Sequence, residues 1–104
     1  MTREEYLQFH EDATYKMAEI TRAKNADYTG HSEDPFSNFK SVEVLGICTT
    51  EQGFATRMMD KMGRISSFIK QGTLQVKDES VTDTLLDLAN YCILFAAYLE
   101  SKRG

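Results

Sequence analysis

The stretch from Glu79 to Leu99, ESVTDTLLDLANYCILFAAYL, limits the possible folds more than any other part of the chain. Glu79, Asp83 and Asp87 recur every four residues, which in a helix sets them in a slowly drifting row along one side. Val81, Leu85, Leu88, Cys92, Phe95 and Leu99 fall on the opposite side. From Tyr91 onward the residues are apolar almost all round, the pattern of a buried helix rather than a merely amphipathic one. Three carboxylates with no Lys or Arg among them are costly on such a helix unless a cation or hydrogen-bond donors face them. What faces that row decides the function. A helix this apolar also needs more cover than two long helices and one short one supply, so the sequence predicts a homo-oligomer.

The rest of the chain supplies those other helices. Thr2-Arg3-Glu4-Glu5 is a capping-box pattern, and the helix it opens meets no breaker until about Asn25. Tyr6, Phe9, Ala13, Met17 and Ile20 share one face of it; the other face is mostly charged and reads as solvent-facing. Lys24 to Lys40, KNADYTGHSEDPFSNFK, breaks the pattern, with Asp27, Gly30 and Pro35 as loop punctuation and Pro35 opening a short helix to about Leu45. Its aromatics Tyr28, Phe36 and Phe39, interleaved with Lys24, Asn38 and Lys40, suit stacking on a base and touching phosphate. Equally, the two Phe residues suit plugging the end of a helical bundle.

Gly46 ends the short helix, and Thr49-Thr50-Glu51-Gln52 starts the next, which runs to about Gln71 and stops at Gly72. Its apolar stripe is Phe54, Met58, Met62, Ile65 and Ile69. A second stripe, Arg57, Asp60, Lys61 and Arg64, flanks the first instead of lying opposite it, the position of a row that lines a cleft or meets a partner helix. Residues 72 to 78 form a short connection, which favours an antiparallel pair, and Asp78 or Ser80 caps the last helix. The reading is therefore a single all-α domain over residues 1–104, a small bundle of three long helices and one short one.

Net charge is −4, which gives no support for binding duplex nucleic acid but leaves room for a small nucleotide on a local basic patch. Cys48 and Cys92 lie far apart, with no CxxC and no paired His, and read as reduced residues of a cytoplasmic protein. No stretch has a signal-peptide pattern or membrane-spanning length. His10 reads as surface or core edge, and His31 lies in the aromatic loop.

Equal steps back from the turn place Arg64 level with Asp87, and Asp60 or Lys61 level with Asn90 and Tyr91. One reading of that juxtaposition is an ion-pair network tying two helices together. The other is a Mg²⁺-dependent phosphate site, with Glu79, Asp83 and Asp87 as metal ligands and catalytic carboxylates and Arg57, Lys61 and Arg64 on phosphate oxygens. Residues four apart are separated by about 6 Å along a helix and eight apart by about 12 Å, so two neighbouring acids share an ion more readily than Glu79 and Asp87 do.

The segments KNADY, DPFSNF, RMMDKMGR and ESVTDTLLDLANYCIL, in that order over roughly residues 20–99, resemble the small phage and bacterial domain called nucleotide modification associated domain 1. That domain in turn is similar to the MazG-type all-α nucleoside triphosphate pyrophosphohydrolases, helical bundles that are usually oligomeric and use acidic helix pairs with Mg²⁺. The resemblance implies site residues at Lys24, Asp27, Tyr28, Phe36, Asn38 and Phe39, then at Arg57, Asp60, Lys61 and Arg64, and finally at Glu79, Asp83, Asp87, Asn90 and Tyr91. One departure matters: MazG-type enzymes carry an ExxE pair, whereas here the acids of the last helix are spaced by four and the preceding helix offers Asp60 among basic residues. Three functions follow as expectations. They are a Mg²⁺-dependent pyrophosphohydrolase-like nucleotide-processing domain, a non-catalytic binder that sequesters a linear or cyclic host signalling nucleotide, and a structural helical oligomer.

Overall fold

Four helices and, among the described residues, no strands make up the computed structural model, which describes residues 1–29, 33–72 and 80–103. The first, α1, spans Arg3–Thr29, with the Thr2 hydroxyl accepting the Glu5 N–H at 3.1 Å. It continues four residues past the expected stop at Asn25, because Lys24 to Thr29 contains neither Gly nor Pro to end it. Lys24 and Asp27 therefore ride on a helix and not on a loop. The short helix α2 spans Ser37–Val44, its entry fixed by the Asp34 carboxylate accepting the Phe36 N–H at 2.9 Å.

Helix α3, Thr50–Gln71, begins with the expected capping box: Thr49 Oγ1 accepts from the Gln52 N–H, and Gln52 Oε1 accepts from the Thr49 N–H. It ends at Gly72, whose φ of 77° is the left-handed conformation that favours glycine. Helix α4 spans Val81–Arg103, one turn beyond the expected Leu99. Of the two expected caps, Ser80 accepts the Asp83 N–H at 3.0 Å. The other, Asp78, and the connection itself lie outside the described residues.

Helices α3 and α4 run antiparallel. Glu51 meets Lys102 at one end of the pair, Phe54 meets Phe95 inside it, and Lys61 meets Asp87 at the other end. The core sits where α2 closes over the first end. Phe36, Phe39, Phe54 and Tyr98 are buried there, with Tyr91, Leu94 and Phe95 packed around them. Phe54, fully buried, lies between Phe39 at a centroid distance of 4.0 Å and Phe95 at 4.8 Å, both rings nearly parallel to it. Helix α2 lies close on α3 at Gly53, where a Cβ would come within 3.0 Å of a Val42 methyl carbon. The two loop phenylalanines thus plug the bundle end.

Helix α1 docks by its second half alone. Of its expected apolar stripe Met17 is buried, whereas Tyr6 and Phe9 are about half exposed. The expectation of an all-round buried α4 also needs correction within one chain: Leu85, Ile93 and Leu99 are 46%, 61% and 44% exposed. The reason is geometric. Helix α3 covers one side of α4 and α1 a second, and no described element covers the third.

Candidate functional site

The polar residues of α1 and α4 meet beside the aromatic core, and Asp87 stands at the centre of that seam. Lys24 Nζ of α1 approaches Asp87 Oδ1 at 3.0 Å, and Lys61 Nζ of α3 approaches Asp87 Oδ2 at 3.5 Å. The Asp87 and Lys61 side chains are 21% and 15% exposed, that of Lys24 43%. Lys61 thus lays its aliphatic stem under cover and brings its charge to the carboxylate, while Lys24 closes the seam from the solvent side.

Asp83 and Asp87 of the acidic row do face positive charge, but from a different α3 residue than the one counted level with Asp87. Lys61, not Arg64, is the α3 cation that pairs with Asp87; Arg64 reaches Asp60 on its own helix at 3.7 Å. Phe54 opposite Phe95 and Glu51 opposite Lys102 keep the counted register to within two residues, so the helices have not slipped. Lys61 lies almost in line with Phe54 around α3, whereas Arg64 is turned farther from α4, and side-chain direction therefore brings Lys61 to Asp87.

Asp83 pairs with Lys16 of α1 at 3.5 Å. The Ser80 hydroxyl first, then the Lys16 ammonium, hold its carboxyl below the usual range. Asn90 Nδ2 donates to the Met17 carbonyl at 3.2 Å, fastening α4 to α1, and the Tyr91 ring stands edge-on to Phe39 at 6.1 Å. Between them lies a pocket of about 50 Å³, lined by Thr21, Lys24, Asn25, Asp87, Asn90, Tyr91 and Leu94. That volume takes one or two water-sized groups, so a nucleotide would place only a phosphate or a base edge inside it.

Lys24, Lys61, Asp87, Asn90 and Tyr91 are therefore brought together, with Asp83 joined to them through α1. Other expected site residues lie elsewhere. Arg57 is exposed on α3, Asp27 is exposed near the end of α1, and Asn38 sits on α2 with its carbonyl accepting the Ser41 hydroxyl. Asp60 is committed to Arg64, and Phe36 belongs to the core, edge-on to Tyr98 at 5.5 Å. Tyr28 is in the last turn of α1, but its side chain, like Glu79 and His31, lies outside the described residues.

Lys16, Thr21 and Asn25 were not anticipated. A signal exists, since Thr21 and Lys24 stand four and seven residues after Met17 and continue its stripe, with Asn25 beside them; ending the helix at about Asn25 and reading Lys24 as the start of a loop hides it. The same geometry bears on Mg²⁺. Among the described residues no group of three or more His, Cys, Asp or Glu is placed to hold a metal ion. Asp87 turns one oxygen to each of two ammonium groups, and Asp83 turns one to a third. Such a donor set suits lysines; Mg²⁺ would have to displace them.

No curated protein and no solved structure matches this chain. Helix α3 and most of α4, residues 50–98, match the family model described as nucleotide modification associated domain 1, a match that covers just under half the chain and includes Lys61, Asp87, Asn90 and Tyr91. It supports that domain family for the half of the molecule that supplies most of the pocket.

Proposed function

We propose that this chain is a nucleotide-binding domain that holds a linear or cyclic nucleotide by its phosphate, with Lys24 and Lys61 as the anion-binding groups, and that it returns the nucleotide intact. The observation that carries this reading is the convergence of two ammonium groups from different helices on one largely covered carboxylate beside a pocket. Two lysines brought this close repel each other unless an anion lies between them. Asp87 supplies that anion and holds both heads in position before a ligand arrives. Lys24 donates to Asp87 Oδ1 and Lys61 stands at ion-pair distance from Oδ2, and the three N–H donors of the Lys61 ammonium suit phosphate oxygens. Asn90 and Tyr91 line the same pocket, and an amide and a phenol suit the polar edge of a base or ribose. The description of the matching family points to the same class of ligand.

Binding without hydrolysis is preferred to the Mg²⁺-dependent pyrophosphohydrolase because the acids of the seam are engaged by lysines. The test is a thermal-shift screen of linear and cyclic nucleotides, each with Mg²⁺ and with EDTA. A true ligand at a hundredfold excess over Kd adds about 2.7 kcal/mol of apparent stability. Lys24→Ala and Lys61→Ala should each remove about 1.5–3 kcal/mol of binding, the usual worth of a hydrogen bond to a charged group. The ligand should be recovered whole after denaturation. Cleaved nucleotide, or stabilisation that appears only with Mg²⁺, would favour the hydrolase, and Asp87→Asn would then abolish turnover. No shift with any nucleotide would leave the seam a structural ion-pair network.

A further inference from the structure

Building on the nucleotide reading above, we infer that Asn90 selects the base: it takes a nucleobase that presents an exocyclic amino group and rejects one that presents a carbonyl in its place. Asn90 Nδ2 donates to the Met17 carbonyl at 3.2 Å. A main-chain carbonyl can only accept, so the amide cannot flip without setting its own oxygen against that of Met17. Met17 is buried and lies inside α1, which fixes the anchor. The nitrogen is thus held at the α1 backbone, and Oδ1 is the end left for a ligand. Oδ1 has no partner among the described residues. No buried side-chain oxygen or nitrogen of the described residues lacks a partner, so Oδ1 meets open space, and the open space beside Asn90 is the pocket.

The other groups around the pocket do not discriminate in this way. Thr21 and Tyr91 carry hydroxyls, which rotate and take a donor or an acceptor alike. Lys24 only donates, and Asp87 turns one oxygen to each of two lysines. Asn25, on the α1 wall, is likewise turned nitrogen-first to a carbonyl, that of Pro35 at 3.1 Å. Size decides which part of a nucleotide reaches Oδ1. A space that holds one or two water-sized groups admits an exocyclic amino or carbonyl group but not a ribose. An amino group there donates to Oδ1. A carbonyl there sets oxygen against oxygen, so the hydrogen bond is lost and both acceptors are left unpaired. Leu94 and the Tyr91 ring give the pocket apolar walls, which suit the flat carbon edge of a base next to its amino group.

Titration calorimetry of the full chain with nucleotides that differ in this one group tests the inference. The pairs are adenosine against inosine and cytidine against uridine, each as the 5′-monophosphate and as the 3′,5′-cyclic monophosphate. The amino member of each pair should bind about tenfold tighter or more. Purine riboside 5′-monophosphate, with neither group at that position, should fall between the adenosine and inosine forms. Asn90→Ala should bring the members of each pair to within about twofold while helical circular dichroism persists. Should that variant fail to fold, Asn90→Ser, whose hydroxyl donates and accepts alike, should level the pairs in the same way. A role confined to fastening α1 would weaken both members equally and leave their ratio unchanged, which overturns the inference. Equal binding of both members by the wild type also overturns it, and the phosphate reading then stands if Lys24→Ala weakens both. Binding of none of these nucleotides removes the nucleotide reading and this inference together.

Discussion

Helix α4 serves two unlike regions. Its C-terminal half gives Tyr91, Phe95 and Tyr98 to a cluster of rings closed by α2, and its N-terminal half gives Asp83 and Asp87 to a seam of lysines. At the aromatic end burial and ring contact provide the stabilisation, and few charges had to be desolvated to gain it. At the seam, charges are partly withdrawn from water, which returns little net stability even when they are paired. A small domain that keeps such a seam has reason to concentrate its stability elsewhere. The difference teaches that the rings hold the helices while the lysines remain available to a ligand.

The largest expected effect tests the dry end. Phe54→Ala removes a fully buried ring stacked between two others and should cost about 3–5 kcal/mol, read from the urea midpoint at constant slope. Against a total stability of about 5–15 kcal/mol, that brings the domain close to unfolding. Next comes the seam. Asp87→Ala leaves Lys61, only 15% exposed, without its carboxylate, and should cost about 1–3 kcal/mol. If Asp87→Ala proved more damaging than Phe54→Ala, the seam would be the structural element and the division of labour would be reversed.

The two regions were also unequally legible in the sequence. The capping box at Thr49, the stop at Gly72 and the four helices follow from local chemistry that a few neighbouring residues settle. The phenylalanines of DPFSNF were ambiguous because an aromatic in a polar stretch suits both a base and a core. Only the arrival of Phe54 and Tyr98 from distant helices decides the matter. Likewise the composition of the acidic row was plain but its partners were not. Lys61 and Arg64 lie within one turn on α3, and the direction each side chain takes toward α4 decides which of them meets Asp87. Lys16 reads as an ordinary surface charge, and Lys24, which reads as a phosphate contact, gives no sign of Asp87, since nothing in α1 itself reveals that α4 crosses it there. Which long side chains pair across helices is a property of packing, and a single helix does not state it.

A smaller effect sharpens the boundary between local and tertiary stabilisation. Thr49→Ala removes the side-chain cap of α3, at the start of the helix that carries Phe54, and should cost about 1 kcal/mol. Thr49→Ser should restore most of it. A much larger loss on Thr49→Ala would mean that the start of α3 and the ring cluster yield as one unit. A negligible loss would leave the rings alone to fix the start of the helix.

The smallest expected effect is on pH, and it reaches both regions. Hydrogen bonds from Lys40 to Asp34, from Lys102 to Glu51 and from Ser80 to Asp83 hold these carboxyls below their usual values. The unfolded chain therefore takes up protons first as pH falls. The stability these groups contribute is complete above the unfolded carboxylate values, near about pH 4, and is lost as pH falls through the folded ones. Lys102 is raised by Glu51, so its contribution is complete below the usual lysine value and is lost as pH rises through the folded one. All four groups are close to solvent, so the changes are small and shrink further with added salt. Urea midpoints measured at neutral pH and below pH 4 separate the regions: Glu51→Gln should flatten the acid slope through the aromatic end, and Asp83→Asn through the seam. If Asp83→Asn left the slope unchanged, the Lys16 pair would hold nothing in the free protein, and the fastening of α1 to α4 would rest on Asp87 and Asn90.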